Sequence, residues 1–242
     1  MRRLGEAGVL AEMHKGAGQT ANDMAGAARL SASDTISVAW PLDCAEDRRI
    51  MLGRIVLNAQ RLLADADLLM SHRRGGSAIA LSVLALEEVG KVVLELWGNP
   101  EELRKIDRRW TYHRRKQAAA TMLLQADQAI SETFVLLKSI DGLRGVTREV
   151  AKSFREDLAN SIASSKEAKL SRYVALGATE RVKHLGLYFD QESYEMGLIE
   201  DDHSSSYLDQ ALEISIEARR AMSLLSNGVV MRAARSLYLL LS

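Results

Sequence analysis

The sequence predicts an all-α protein, and three observations support this fold class. Only two prolines, Pro41 and Pro100, occur in 242 residues, so long stretches lack the residue that interrupts helices. Aromatic residues make up only 5% of the chain while Leu and Ala are abundant, a balance that favours helix over sheet. Apolar residues recur at helical spacing along several segments, and no segment has the two-residue alternation of a strand. We therefore expect a bundle of long antiparallel helices with short connections.

The composition excludes several classes of protein. Because 47% of the residues are hydrophobic, the chain can bury a sizeable core and is not a disordered protein. The formal net charge is zero, so any nucleic acid must be bound through a local patch. The single cysteine, Cys44, excludes an internal disulfide and a cysteine zinc site. With no signal-peptide pattern and no apolar stretch of about 20 residues, we expect a soluble cytoplasmic protein that does not contact membranes.

The order of polar and apolar segments predicts two regions. Residues 1–45 are rich in Gly, Ala and Ser and are expected to form a partly flexible arm, whereas residues 46–242 form the all-α domain. The first helix of this domain is expected to end at the sequence HRRGG, where a glycine can adopt the left-handed cap.

Periodicity and breaker residues predict the individual helices of the domain. Helices are expected at about residues 47–72, 77–97 and 146–164, and from a start between Pro100 and Arg108 to about residue 140. Residues 165–203 are expected to be irregular. Residues 205–242 are expected to form one bent helix or two, with the break at Asn227-Gly228.

Two adjacent carboxylates and a lysine stand in the middle of the otherwise apolar segment VLALEEVGKVV, residues 83–93. On a helix, Glu87, Glu88 and Lys91 fall within one narrow arc, and apolar residues cover most of the remaining circumference. Helical spacing alone leaves two interpretations open. The three residues can form surface ion pairs worth about 0.2–0.5 kcal/mol each, or they can line a polar site in the wall of the bundle.

A second polar segment, RKIDRRWTYHRRK, covers residues 104–116 and contains seven Lys or Arg residues in an otherwise neutral protein. On a continuous helix Arg109, His113 and Lys116 share one face. Histidine can accept or donate a proton near neutral pH, and arginines beside it can bind phosphate oxygens in bidentate fashion. A solvated cationic face and a phosphate-binding site are both consistent with this segment.

The two segments together resemble the AbiV-like abortive-infection proteins of the HEPN superfamily. In those proteins an EE-x-G-K helix is followed by H-x-x-K, as ALEEVGK (residues 85–91) is here followed by WTYHRRK (residues 110–116). The segment VKHLGLYFD, residues 182–190, is similar to the Lys…Tyr-x-Asp segment of the family. The resemblance covers roughly residues 47–240 and implies a HEPN-like helical bundle.

The resemblance also implies a function and a set of site residues. Many HEPN proteins are metal-independent ribonucleases marked by Arg, four to six residues, then His, and here Arg108 precedes His113 by that spacing. These ribonucleases often carry a polar residue such as Asn or Asp directly after the arginine and an aromatic residue after the histidine. This chain departs from that pattern, with Arg109 and Arg114 at the two positions. Whether Arg108 or Arg109 is the working cation therefore stays open, although the shared helical face favours Arg109.

We accordingly expect a phage-defence toxin that cleaves RNA at a site shared by two copies of the chain, without a metal ion or other cofactor. The expected partners are RNA, a second copy in a homodimer, and a phage-derived activator or an antitoxin. The alternative is a HEPN-like module without catalytic activity that binds RNA or a protein. The candidate residues are His113, Arg108 and Arg109 for catalysis, Glu87, Glu88 and Lys91 for support of the site, and Arg104, Lys105, Arg114, Arg115 and Lys116 for RNA binding.

Overall fold

The computed structural model describes residues 45–98, 112–140, 156, 160–187 and 205–241, and nearly all of these residues are helical. No strand occurs in these ranges, which confirms the predicted all-α class. In chain order the helices are α1 (Glu46–Ser71), α2 (Gly75–Trp97), α3 (Tyr112–Ile140), α4 (Lys166–Leu176), α5 (Ala178–Leu187), α6 (Ser205–Ser223), a 3₁₀ turn (Leu224–Ser226) and α7 (Gly228–Leu241).

Helix α2 is the centre of the bundle, and its sequence explains why. It is apolar over most of its circumference, and it packs against α1, α3, α5 and α6. Leu86 and Val93 of α2 are fully buried, as are Leu52 of α1, Leu123 of α3 and Met222 of α6 in the same core. A polar group on α2 therefore lies between helices and needs partners from them.

Two glycines allow neighbouring helices to approach α2 at backbone distance. A Cβ at Gly90 of α2 would overlap the Lys116 carbonyl of α3, and a Cβ at Gly186 of α5 would overlap the Gly76 carbonyl of α2. Both positions require glycine because backbone atoms, unlike a flexible side chain, cannot move aside without moving the helix.

The turn after α1 differs from the sequence-based expectation. The left-handed residue is Arg73, with a φ of 58°, and not a glycine. Gly75 and Gly76 instead begin α2, where both are buried. The glycines are used for close helix packing, which the local HRRGG pattern could not reveal.

The expectation of an irregular region over residues 165–203 is wrong for its first half, which forms α4 and α5. The Ser165 hydroxyl accepts a hydrogen bond from the Ala168 N–H at 3.1 Å and begins α4, and Gly177, with a φ of 77°, ends it. These helices have only 11 and 10 residues and carry many polar side chains, so their periodicity is weak. Residues 188–204 lie outside the described part of the chain.

The predicted break near the end of the chain is confirmed. Asn227 separates α6 and its 3₁₀ turn from α7, and its side-chain oxygen accepts hydrogen bonds from the N–H groups of Val229 (3.1 Å) and Val230 (3.2 Å). The predicted arm, residues 1–45, lies almost entirely outside the described residues. None of the helices in the described part is long and apolar enough to cross a membrane.

Candidate active site

The carboxylate of Glu87 is the centre of a polar network inside the bundle. Glu87 lies on α2 and is only 2% exposed. Its Oε2 is 2.7 Å from Nδ1 of His113, and its Oε1 accepts hydrogen bonds from Nε2 of Gln117 (2.8 Å) and Nζ of Lys183 (2.7 Å). Three donors from α3 and α5 thus compensate the loss of water around a buried negative charge.

Helix α5 adds a second carboxylate and a hydroxyl to this network. Glu180 Oε1 is 2.8 Å from the Lys183 ammonium, and its Oε2 accepts a hydrogen bond from Gln117 Nε2 at 3.1 Å. Thr179 donates its hydroxyl hydrogen to Gln117 Oε1 at 2.5 Å. His184 Nε2 lies 3.0 Å from Glu180 Oε1 on the exposed side of α5. The Gln117 amide is therefore bonded at both ends, which fixes its orientation.

The electrostatics of Glu180 favour its charged form. Burial by itself raises the pKa of this carboxyl, but hydrogen bonds from Lys183 and His184 and the charge of Lys183 outweigh burial. The pKa of Glu180 therefore lies below its usual value of 4.5. Nζ of the buried Lys183 lies between the two carboxyl groups, 2.7 Å from Glu87 Oε1 and 2.8 Å from Glu180 Oε1.

His113 connects this buried network to solvent. Its side chain is 48% exposed, whereas the Glu87 side chain in contact with it is 3% exposed. An ionised carboxylate can only accept, so the hydrogen between them resides on Nδ1. When the ring is neutral, Nε2 then holds the lone pair and is the atom able to accept a proton.

The two helix crossings explain why the network forms where it does. Gly90 lies three residues after Glu87 on α2, and Gly186 lies three residues after Lys183 on α5. Residues three apart share a helix face, so each glycine brings a neighbouring helix against the face that carries the charged side chain. The glycine of the EE-x-G-K motif thus acts with Glu87 to position α3.

Glu87, His113 and Glu180 offer one ligand atom each within 4.8 Å of one another, a donor set that could hold a metal ion. In the structure the Lys183 ammonium contacts both carboxylates of that set. A divalent ion bound between them would bring a second cation against this buried ammonium, which disfavours it. The donor set is better explained as an ion-pair network.

The structure brings together only some of the residues predicted from the sequence. Glu87 and His113 are in direct contact, as described above. Glu88 and Lys91 lie half-buried on α2, and neither forms a hydrogen bond or ion pair within the described residues. Arg104, Lys105, Arg108 and Arg109 lie outside the described residues, so their placement stays a prediction.

The predicted RNA-binding residues at the start of α3 have different environments. Arg114 donates from Nε to the Val174 carbonyl at 3.3 Å and from Nη2 to the Ala175 carbonyl, so it binds the last turn of α4. Arg115 is half-buried, and Lys116 is only 7% exposed, with its backbone packed against Gly90 of α2.

Four residues of the network were not anticipated: Gln117, Thr179, Glu180 and Lys183. Gln117 follows His113 by four residues and so lies on the same face of α3, a signal that the sequence did contain. Lys183 lies in the segment VKHLGLYFD, whose similarity to the family had been noted without a role for the lysine. The other two residues are contributed by a helix that was not predicted.

The fold and the site define an all-α helical protein in which a buried carboxylate on the central helix contacts an exposed histidine at the start of the next described helix. The particular family follows from comparison with known proteins. The model of the AbiV family of HEPN proteins matches residues 51–214, more than half of the chain, so the chain belongs to this abortive-infection family. The match includes every residue of the Glu87 network. No curated protein and no solved structure was found to match the chain.

Proposed function

We propose that the chain is a metal-independent endoribonuclease that acts as a toxin in phage defence. The observation that carries the proposal is the 2.7 Å contact between the buried Glu87 carboxylate and Nδ1 of the exposed His113. A histidine held in this way presents Nε2 in a fixed direction and in a fixed tautomer, as general acid–base catalysis requires.

The proposed reaction uses the 2′-hydroxyl of RNA as the nucleophile. Nε2 of His113 accepts the 2′-hydroxyl proton, the 2′-oxygen attacks phosphorus, and the bond from phosphorus to the 5′-oxygen breaks. The 5′-oxygen takes up a proton, for which the protonated histidine of a second copy is the proposed donor. The products are a 2′,3′-cyclic phosphate and a 5′-hydroxyl. Arg108 or Arg109 would stabilise the charge that develops on the phosphoryl oxygens.

The first test is RNA cleavage by purified protein in EDTA, with transfer RNA and ribosomal RNA as substrates and analysis of the product ends. We expect cyclic-phosphate ends and a rate that falls by about 10²–10⁴-fold in His113→Ala. The matched control is His72→Ala, which removes an exposed histidine after α1. The cleavage rates of separate Arg108→Ala and Arg109→Ala variants show which arginine contributes more to the reaction.

The alternative, a module that binds RNA without cutting it, gives a different result in the same experiment. Wild-type protein would then leave every RNA intact but bind it with a strong dependence on salt, and binding would survive His113→Ala. Cleavage that is lost in EDTA and restored by a divalent ion would instead contradict the metal-independent mechanism.

A further inference from the structure

The outer face of α4 carries cations without neighbouring acids of its own helix. Lys166 and Arg172 are exposed, and Lys169 and Tyr173 are half-buried on the same face. The one acidic residue of α4, Glu167, is 5% exposed and is bound inward to Arg220 of α6. We call Lys166, Lys169, Arg172 and Tyr173 the α4 face.

Two members of the α4 face have no acidic partner in the described part of the chain. Lys169 and Arg172 form no ion pair there, whereas Lys166 lies near enough to Glu217 of α6 to lower its pKa. The Lys169 ammonium lies 5.7 Å from the centre of the Tyr173 ring. An ammonium beside an aromatic ring offers a phosphate contact and a base contact at one place.

The α4 face is connected directly to the candidate active site. Arg114, the residue after His113, binds the carbonyls of Val174 and Ala175 in the last turn of α4. After Gly177 the chain continues into α5, which supplies Thr179, Glu180 and Lys183 to the network. Since a helix rises about 1.5 Å per residue, Lys169 lies only about 10 Å along α4 from the end that adjoins the site.

From this geometry we propose that the α4 face binds single-stranded RNA next to the phosphate that is cleaved. This inference rests on the proposed function and deepens it, because it assigns a second contact surface for the same substrate. Lys169 and Arg172 contact phosphates of the flanking nucleotides, and Tyr173 contacts a base. A single strand fits this arrangement better than a duplex, since bases in a duplex are not available for stacking on a side chain.

The test measures RNA binding in the His113→Ala background, so that the RNA is not cut during titration. The variant Lys169→Gln/Arg172→Gln is compared with Arg54→Gln/Arg61→Gln, which removes the same charge from exposed positions on α1, a helix with no residue in the site. We call Lys169→Gln/Arg172→Gln the α4 pair and Arg54→Gln/Arg61→Gln the α1 pair. The α4 pair should bind a single strand of about 20 nucleotides about 10-fold more weakly, and its plot of log binding constant against log salt concentration should have a slope smaller in magnitude by about 1.4. The α1 pair should change neither quantity.

Two further measurements make the test specific. Tyr173→Leu should weaken binding at least about fivefold without changing the salt slope, because stacking does not release counterions. In protein that retains His113, Lys169→Gln/Arg172→Gln should slow cleavage of the strand of about 20 nucleotides more than cleavage of a dinucleotide, because a dinucleotide has no flanking phosphates for these two residues to bind.

The possible failures of the two proposals are distinguishable. If wild-type protein cuts RNA but the α4 pair binds like the α1 pair, the α4 inference is overturned and the nuclease stands. If the His113→Ala protein binds no RNA and the wild type cuts none, both proposals are overturned.

Discussion

Glu87 is the most deeply buried carboxylate of the candidate site, and its burial makes its three partners necessary. Its two oxygens contact donors on His113, Gln117 and Lys183, from two helices. A surface ion pair is worth about 0.2–1 kcal/mol, whereas removal of one partner from a buried pair costs about 3–5 kcal/mol. The same residue therefore supports both the fold and the orientation of His113.

The first prediction concerns the Glu87–Lys183 ion pair, in which both side chains are nearly inaccessible to solvent. Glu87→Gln should lower the free energy of unfolding by up to about 3–5 kcal/mol, because the buried Lys183 ammonium loses one of its two counter-charges and keeps only Glu180. The double variant Glu87→Gln/Lys183→Met should lose less than the sum of the single variants. Urea denaturation of all four proteins measures this coupling, and strictly additive effects would contradict it.

A second prediction concerns Glu217, a buried carboxyl on α6. Burial raises its pKa above the usual value of 4.5, and the nearby negative charges of Glu167 and Glu213 add to this, while Arg220 and Lys166 act in the opposite direction. Because the folded state holds the proton more tightly than the unfolded state, this group stabilises the fold at low pH. That stabilisation is lost as the pH rises from about 4.5 through the raised pKa.

Glu217→Gln removes this dependence. The quantity to follow is the free energy of unfolding of the variant minus that of wild type. This difference should increase as the pH rises from about 4.5 to 7, because only wild type loses the stabilisation from Glu217. Urea denaturation across this range gives the difference at each pH. A constant or decreasing difference would show that the Glu217 pKa is not raised.

At the scale of helices, the crossing of α2 and α3 determines whether Glu87 and His113 meet. Gly90 allows the two backbones to touch at Lys116, which lies one turn after His113 on α3. A helix cannot give way locally, so a side chain at residue 90 must push α3 as a unit away from α2. The distance between Glu87 and His113 would then increase.

The third prediction follows from this crossing. Gly90→Ala should lower the free energy of unfolding by about 1–3 kcal/mol through overpacking, and it should also slow RNA cleavage. The matched control is Gly53→Ala in α1, because a Cβ at Gly53 meets nothing within 4 Å. The control should be neutral or stabilise the protein by up to about 1 kcal/mol, since alanine favours helix. Equal effects of the two substitutions in thermal and urea denaturation would contradict the proposed role of Gly90.

For the whole molecule, the proposed mechanism requires two copies of the chain at one phosphate. The fourth prediction is tested by mixing wild-type protein with an about ninefold excess of His113→Ala and allowing the subunits to exchange. RNA-cleavage activity should then fall about tenfold, because few dimers still contain two copies of His113. RNA is kept in excess, and the control adds the variant only when the assay starts. Undiminished activity after exchange would show that one copy is sufficient.

The sequence contained much of the fold and part of the site. Helices α1, α2, α6 and α7 were predicted within a few residues because their apolar periodicity is long or because Asn227-Gly228 interrupts it. The sequence identified Glu87, Glu88 and Lys91 as polar residues on one side of an apolar helix. Helical spacing did not show which of the three is buried in the site. Helices α4 and α5 were not predicted, because a short, polar helix is stabilised mainly by the surface on which it packs and has little apolar periodicity of its own.

By itself the sequence determined the all-α class and a helix that is apolar on nearly all sides, and the resemblance of its motifs to a known family paired the carboxylates of that helix with a later histidine. These features are encoded locally, in periodicity, breaker residues and motifs. Only the tertiary structure decided that Glu87 is the buried member of its motif. It also decided that Lys183 and Glu180 complete the ion-pair network and that Arg114 binds the end of α4. Those contacts join residues up to 96 positions apart, and their partners are chosen by how closely the helices pack at Gly90 and Gly186.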